Sequence, residues 1–302
     1  MNMTKRALGA AGKIALAFVL AFVLTLAAMI PVVAIAGLVR AGDGYDLTSL
    51  DRLLNDPIFV YGSMVAQAIG FIGAVPLLYA LFERKARWSV GWSDRNAVRE
   101  LLKGAGFGIV LMTAIFLVML ATGAAEVRAV RLDAAVWGDL AAFLGLFALV
   151  ALNEELFSRG YVQGVIRHRF GPAAAVVCSS LFFALLHAAN PGALAHPLPL
   201  LNIFAAGLLL GLCRETTGSL WFPIGLHWTW NFVQGNVFGF EVSGTPVASL
   251  LELETSGPAL WSGGQFGAEG SLIATAVMAI GMWRIRERGR RGRAERLGPF
   301  GE

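Results

Sequence analysis

Charged side chains are scarce in this sequence, and the scarcity limits what kind of protein it encodes. Only 15% of the 302 residues are Asp, Glu, Lys or Arg, whereas a soluble globular domain has about 25%. With a mean hydropathy of +0.67, the chain has too little charge to cover a soluble surface. A soluble enzyme is therefore excluded. Disorder is excluded as well, because it requires low hydrophobicity and high net charge. The composition indicates a membrane protein.

Cysteine is also rare in the chain. Cys178 and Cys213 are the only two cysteines, and both lie inside apolar runs. A disulfide framework needs more cysteines at regular spacing, so this class of fold is excluded. We interpret both residues as small apolar side chains.

Long apolar runs dominate the remainder of the sequence. A helix needs about 20 apolar residues to cross a hydrocarbon core, and eight runs predict an all-α fold, a polytopic transmembrane helix bundle of about eight spans. The first run is longer than the ~7–15 apolar residues of a secretory signal, so we expect an uncleaved anchor. The runs cover residues 14–39, 58–82, 104–125, 140–166, 172–189, 200–213, 221–240 and 270–283.

The basic residues are distributed unevenly among the connecting segments. Nineteen of the 24 Lys and Arg residues lie in the two terminal segments and in alternate loops. By the positive-inside rule, both termini are expected to be cytoplasmic, which agrees with an even number of spans. The Arg-rich tail from Arg284 onward is interpreted as a topology signal that contacts anionic lipid, with no nucleic-acid partner.

Three charged residues lie inside the fourth run: Glu154, Glu155 and Arg159. Ionised side chains at bilayer depth cost about 2.5–3.5 kcal/mol each on insertion scales, so they usually face a cavity. On a helix Glu155 and Arg159 share a face and favour an ion pair. Glu154 points about 100° away from Glu155, which predicts a carboxylate without a local partner that serves as a general base. A purely structural polar cluster is the alternative interpretation.

Two other spans carry polar residues at helical spacing. Phe183 and His187 lie four residues apart in the fifth run, as do His227 and Asn231 in the seventh, so each pair occupies one helix face. At 1.5 Å per residue, Glu154 and His187 both lie roughly 20 Å from the cytoplasmic edge. A lone histidine in a span often only bridges helices. On the same rise Asn231 lies about 15 Å and His227 about 9 Å from that edge, so the four levels do not match perfectly. We nevertheless expect these residues to meet in one cavity.

A carboxylate, two imidazoles and an amide together are typical of hydrolysis. We expect Glu154 to take a proton from a water that His187 positions, while His227 and Asn231 donate hydrogen bonds to the oxyanion. The same atoms allow a second mechanism, in which Glu154, His187 and His227 bind a zinc ion that activates the water. Because the sequence has no His-Glu-x-x-His helix, the cofactor stays open between zinc and none.

These motifs resemble those of the CPBP family of CAAX proteases and bacteriocin-processing enzymes, which includes the type II CAAX prenyl endopeptidases. The resemblance covers residues 140–240 and rests on Glu-Glu-x-x-x-Arg, Phe-x-x-x-His and His-x-x-x-Asn in that order. It implies an eight-helix intramembrane endopeptidase of glutamate or metallo type, acting on a peptide or membrane-protein substrate in the lipid bilayer. We expect a multi-pass protein of the bacterial inner (plasma) membrane. The implied catalytic residues are Glu154, Glu155, Arg159, His187, His227 and Asn231.

Three regions are expected along the chain. Residues 1–136 form N-terminal transmembrane helices, 137–240 form the protease core, and 241–302 hold an outer loop, the last helix and the basic cytoplasmic tail. The loop at 241–269 is rich in Gly, Ser and Glu and is expected to cap a cavity.

Other interpretations of the polar residues remain open. The main alternative function is a non-proteolytic membrane protein of the bacteriocin-immunity or scaffold type that keeps the polar cluster as a binding site. A transporter is disfavoured because the sequence has no internal repeat. Asn202 is left out of the site, and Trp221, Trp228 and Trp230 are interpreted as packing residues near the cytoplasmic interface.

Overall fold

Helices form most of the structure, a computed structural model that describes residues 3–40, 56–86, 88–92 and 94–297. The first residues of the expected region 1–136 and the last residues of the expected region 241–302 lie outside the described residues. The helices are α1 Met3–Arg40, α2 Pro57–Leu78, α3 Ala97–Ala121, α4 Ala134–Glu155, α5 Gln163–Phe170, α6 Pro172–Leu186, α7 Pro197–Thr217, α8 Trp221–Phe232, α9 Ala259–Ser262 and α10 Leu272–Leu297.

Each of the eight predicted apolar runs overlaps a helix. Five helical segments among the described residues are long and apolar enough to cross a membrane, and α6 is apolar but shorter. The chain is therefore an integral membrane protein with a helical fold, as predicted, while the number of eight spans stays a prediction. The five segments are Met3–Arg40, Pro57–Ala86, Ala97–Ala121, Ala134–Phe170 and Pro197–Thr217.

Helix α4 carries the first motif and begins at a well-defined cap. The Asp133 side chain accepts a hydrogen bond from the backbone N–H of Val136 at 3.0 Å, which satisfies one of the free donors of the first turn. That hydrogen bond holds the pKa of Asp133 below its usual range. At its other end α4 continues through a π-helical segment, Leu156–Val162, into α5. π-Helical turns are frequent at functional sites.

Helix α8, which carries the third motif, packs closely against α3. A Cβ atom added at Gly104 would lie 2.0 Å from the carbonyl oxygen of Phe222, and one at Gly225 would lie 2.1 Å from that of Leu101. Thr229 Oγ1 also donates a hydrogen bond to the Ala105 carbonyl at 2.8 Å. Small residues let helix backbones approach in this way in membranes. The contact fixes the depth and rotation of α8.

A small sheet joins two connections on one side of the bundle. Strand β1, Ala125–Val130, follows α3, and β2, Leu251–Thr255, precedes α9. The strands pair antiparallel from Ala125 opposite Thr255 to Val130 opposite Leu251. The apolar side chains of Val127, Leu251 and Leu253 pack on the main core. This sheet is absent from the all-α prediction, because two isolated short strands give little periodic signal.

Candidate active site

A cavity of about 720 Å³ lies within the helix bundle. Side chains from α1, α2, α4, α6, α7, α8 and α10 line it, and most of them are aliphatic or aromatic. Val242, Ser243 and residues 245–247 also contribute, so part of the loop at 241–269 borders the cavity, as expected. A mostly apolar pocket with a few convergent polar groups is the usual form of a ligand site. The ionisable and amide side chains considered below are Glu154, His187, His227, Asn231 and Glu269.

The Glu154 carboxylate lies close to both histidines. Its Oε2 atom is 4.0 Å from His187 Nε2 and 3.9 Å from His227 Nε2. Within the described part of the chain, Oε2 has no hydrogen-bond partner, although it is buried. The Glu154 side chain remains 21% exposed, because it faces the cavity. These are the distances at which one bridging water can link a carboxylate to an imidazole.

Each imidazole is oriented by a contact at its other ring nitrogen. His187 directly follows the last residue of α6, and its Nδ1 lies 2.8 Å from the Phe183 carbonyl oxygen. His227 Nδ1 lies 2.9 Å from Glu155 Oε1. A carbonyl oxygen and an ionised carboxylate can only accept, so both Nδ1 atoms donate and both Nε2 atoms face Glu154. In a neutral imidazole, that Nε2 carries a lone pair.

Glu155 and Arg159 form the predicted ion pair behind Glu154. Glu155 Oε1 lies 2.7 Å from Arg159 Nη1, and both side chains are fully buried. The Arg159 guanidinium also lies over the Phe183 ring, with Cζ 4.1 Å from the ring centroid. Glu154 faces the cavity instead, so the two adjacent carboxylates occupy different environments, as the helical geometry predicted. The ion pair supports the cavity wall without lining the cavity itself.

Asn231 lies on the same face of α8 as His227, one helical turn further along. It is 6% exposed and lines the cavity. In the described residues its side chain makes no hydrogen bond, so the amide is available to a ligand. The cavity thus brings Glu154, His187, His227 and Asn231 together, with Glu155 and Arg159 packed behind them.

Glu269 is a cavity residue that the sequence patterns did not indicate. Trp230 Nε1 donates to its Oε1 at 3.1 Å, and the backbone N and Oγ of Ser243 both donate to its Oε2 at 2.9 Å. Trp230 is 5% exposed and packs in the main core, and it also bonds to this carboxylate. Its expected place near the cytoplasmic interface stays a prediction. The available signal for this residue in the sequence was an acidic side chain shortly before the apolar start of α10.

Asn202 has a structural role, consistent with its exclusion from the predicted site. Its Nδ2 atom donates to the carbonyl oxygens of Glu269 at 2.7 Å and Ser271 at 2.8 Å. Thr275 Oγ1 donates to its Oδ1 at 2.7 Å. The amide therefore ties α7 to the segment that carries Glu269.

Glu154, His187 and His227 are the predicted metal ligands. Ligand atoms around a tetrahedral zinc ion lie roughly 3.3–3.4 Å apart, whereas Glu154 Oε2 is 4.0 and 3.9 Å from the two Nε2 atoms. Among the residues that the structure describes, no group of three His, Cys, Asp or Glu side chains is arranged to hold a metal ion. The side chains as placed do not fit a closed zinc site. Zinc binding stays a prediction, and no chemical step below uses it.

The fold and the cavity define a helical membrane protein with a buried Glu–His site. Residues 136–233 match the family model for type II CAAX prenyl endopeptidase, Rce1-like, and no curated protein matches the chain. The matched segment extends from the start of α4 to just beyond α8 and contains all six predicted site residues. The match over this core supports the resemblance to the CPBP family of CAAX-type intramembrane proteases that the motifs indicated.

Proposed function

We propose that this protein is an intramembrane endopeptidase that hydrolyses a peptide bond in a membrane-associated peptide or protein. The observation that carries the proposal is the position of Glu154 Oε2, 4.0 Å from His187 Nε2 and 3.9 Å from His227 Nε2. Acid–base hydrolysis requires such groups to converge where water and a peptide carbonyl fit together. The cavity of about 720 Å³ provides that space.

Glu154 acts as the general base in this mechanism. A water molecule has positions within hydrogen-bond reach, about 2.6–3.2 Å, of both Glu154 Oε2 and His187 Nε2. His187 accepts one hydrogen bond from this water and thereby orients it. Glu154 takes the other proton as the water oxygen attacks the carbonyl carbon. When the C–N bond breaks, Glu154 returns the proton to the leaving amine, so the carboxylate is regenerated.

His227 and Asn231 stabilise the oxyanion of the tetrahedral intermediate. The Asn231 amide donates without any change of charge. His227 donates from Nε2 only when both ring nitrogens carry protons, because Nδ1 already donates to Glu155. Donors held in place before the reaction act more strongly than water, because they need no reorganisation.

Glu155 and Arg159 are positioning residues. Arg159 neutralises Glu155 at 2.7 Å, and Glu155 in turn holds the His227 ring at 2.9 Å. The pair therefore acts on the reaction through His227. Removal of one partner of such a buried pair is strongly destabilising, because it leaves an uncompensated buried charge.

We place the protein in the bacterial inner (plasma) membrane with both termini in the cytoplasm. The distribution of Lys and Arg along the sequence supports this orientation. In this arrangement the loop at 241–269 and the small β-sheet lie on the outer side.

The proposal is tested by incubating the purified protein, in nanodiscs, with a peptide library and identifying new termini by mass spectrometry. Glu154→Gln tests the mechanism, and Glu241→Gln is the matched control, since Glu241 does not line the cavity. We expect cleavage by the wild type and Glu241→Gln but not by Glu154→Gln, in the presence and absence of a chelator. Loss of cleavage with chelator would support the zinc mechanism. No cleavage under any condition would favour the immunity or scaffold function.

A further inference from the structure

Glu269 is a buried acidic residue in the cavity wall that the proposed hydrolysis does not use. It is 6% exposed and borders the same cavity as Glu154. Its backbone is fixed to α7 through Asn202, whose Nδ2 donates to the Glu269 carbonyl at 2.7 Å. A residue held this firmly keeps its charge in a constant place relative to the site.

The hydrogen bonds of Glu269 leave one acceptor position free. Trp230 Nε1 and the backbone N of Ser243 can only donate, so both carboxylate oxygens of Glu269 accept hydrogen bonds. Ser243 Oγ supplies the third bond. An ionised carboxylate offers about four acceptor positions. The fourth position is available to a ligand in the cavity.

Apart from its two histidines, the cavity has only acidic residues as ionisable groups among the described residues that line it. Glu154 and Glu269 are its acidic residues, and no Lys or Arg occurs among the described residues that line it. Arg159 lies behind Glu155 and does not border this cavity. Charges interact strongly in such a partly buried, apolar environment. A cationic side chain is favoured there, and an unpaired carboxylate is strongly disfavoured.

Glu269 lines the same cavity as the reacting groups and contacts the helix that carries His227 and Asn231. Its partner Trp230 precedes Asn231 and follows His227 by three residues, about 4.5 Å along the axis of α8. An extended peptide advances roughly 3.3 Å per residue. A side chain that contacts Glu269 therefore belongs to a residue only a few positions from the cleaved bond.

We propose that Glu269 is a specificity-determining residue that selects peptides carrying a Lys or Arg side chain a few residues from the cleaved bond. This inference rests on the proposed endopeptidase function. The ligand is an apolar peptide segment with one basic residue.

The inference is tested with a series of apolar peptides that each carry one variable residue, either Lys, Gln or Glu. In successive peptides this residue is placed at successive positions on both sides of the cleaved bond. A hydrogen bond between charged groups is stronger than one to a neutral group. We therefore expect kcat/KM to be about tenfold higher for the Lys peptide than for the Gln peptide at one or more of the varied positions. Glu269→Gln should bring this ratio close to one. Glu241→Gln, in the same loop but outside the cavity lining, should retain it.

A second variant separates the charge of Glu269 from its structural contacts. Ser243→Ala removes the Oγ donor but keeps the carboxylate, so the preference for Lys should persist. If Ser243→Ala abolishes the preference as fully as Glu269→Gln, Glu269 acts only through loop structure and the inference is overturned.

Peptide binding to the Glu154→Gln protein, measured by fluorescence anisotropy, distinguishes this inference from the proposed function. The Lys peptide should bind about tenfold more tightly than the Gln peptide, and the Glu peptide most weakly. Absence of cleavage by the wild type would contradict the proposed endopeptidase function. The order of peptide affinities would still test whether Glu269 selects basic residues. Equal binding of the three peptides, or no binding, overturns the selection of basic residues.

Discussion

The Glu155 carboxylate oxygen Oε1 lies 2.9 Å from Nδ1 of His227, and this contact links the first motif to the third. The same oxygen lies 2.7 Å from Arg159 Nη1. Motifs that are 72 residues apart in the chain therefore form one buried hydrogen-bonded unit. A role of this unit in stability and a role in catalysis lead to different expected effects of substitutions.

Removal of one member of the ion pair should destabilise the protein more than removal of both. Arg159→Leu leaves the Glu155 charge buried without its cation, which typically costs about 3–5 kcal/mol. The double variant Glu155→Leu/Arg159→Leu removes both charges, so most of the stability should return. Activity should not return, because His227 then lacks its Nδ1 acceptor. Thermal unfolding in detergent and peptide cleavage measure the two effects. A double variant that cleaves at the wild-type rate would contradict a positioning role for Glu155.

Asn231→Ala should slow catalysis without loss of folding. Removal of one oxyanion donor typically lowers kcat by about 10²–10³, and KM should change little. Asn202→Ala is the matched control, since Asn202 bonds only to Glu269, Ser271 and Thr275 in the described structure. It should lower the melting temperature more than Asn231→Ala does. If Asn231→Ala has the kcat of the wild type, the oxyanion role is wrong.

Gly104→Ala should disturb the contact between α3 and α8, whereas Gly106→Ala should not. The added Cβ at Gly104 would lie 2.0 Å from the Phe222 carbonyl oxygen, while nothing lies within 4 Å of one at Gly106. Overpacking of this kind costs about 1–3 kcal/mol, and the resulting shift of α8 displaces His227. Unfolding curves and cleavage rates of both variants provide the measurement. Equal behaviour of the two alanine variants would show that the close approach has no role.

The helices and the main motifs were predictable because their signals are local. The apolar runs directly indicate helices of membrane-spanning length. The division between Glu154 and Glu155 followed from the 100° step of a helix, and the i,i+4 spacing predicted the pair of Glu155 with Arg159. The structure places these side chains accordingly.

The remaining features depend on contacts between distant segments. Glu269 contacts Trp230 and Ser243 only when the loop at 241–269 folds against α8. A periodic pattern in the sequence does not indicate such a contact. The contact of His227 with Glu155 also depends on helix rotation, which the glycine contact at Gly104 helps to set. The two-stranded sheet pairs residues about 120 positions or more apart, a distance over which local sequence preferences carry little information.

The most direct test of the proposed function is the cleavage rate of Glu154→Gln on a peptide that the wild type cuts. Gln keeps the size of the side chain but cannot take a proton, and loss of a general base typically lowers the rate by about 10²–10⁴. We predict a decrease of that size, with peptide binding and melting temperature close to those of the wild type. A Glu154→Gln protein that cleaves the peptide at the wild-type rate would contradict the proposed mechanism.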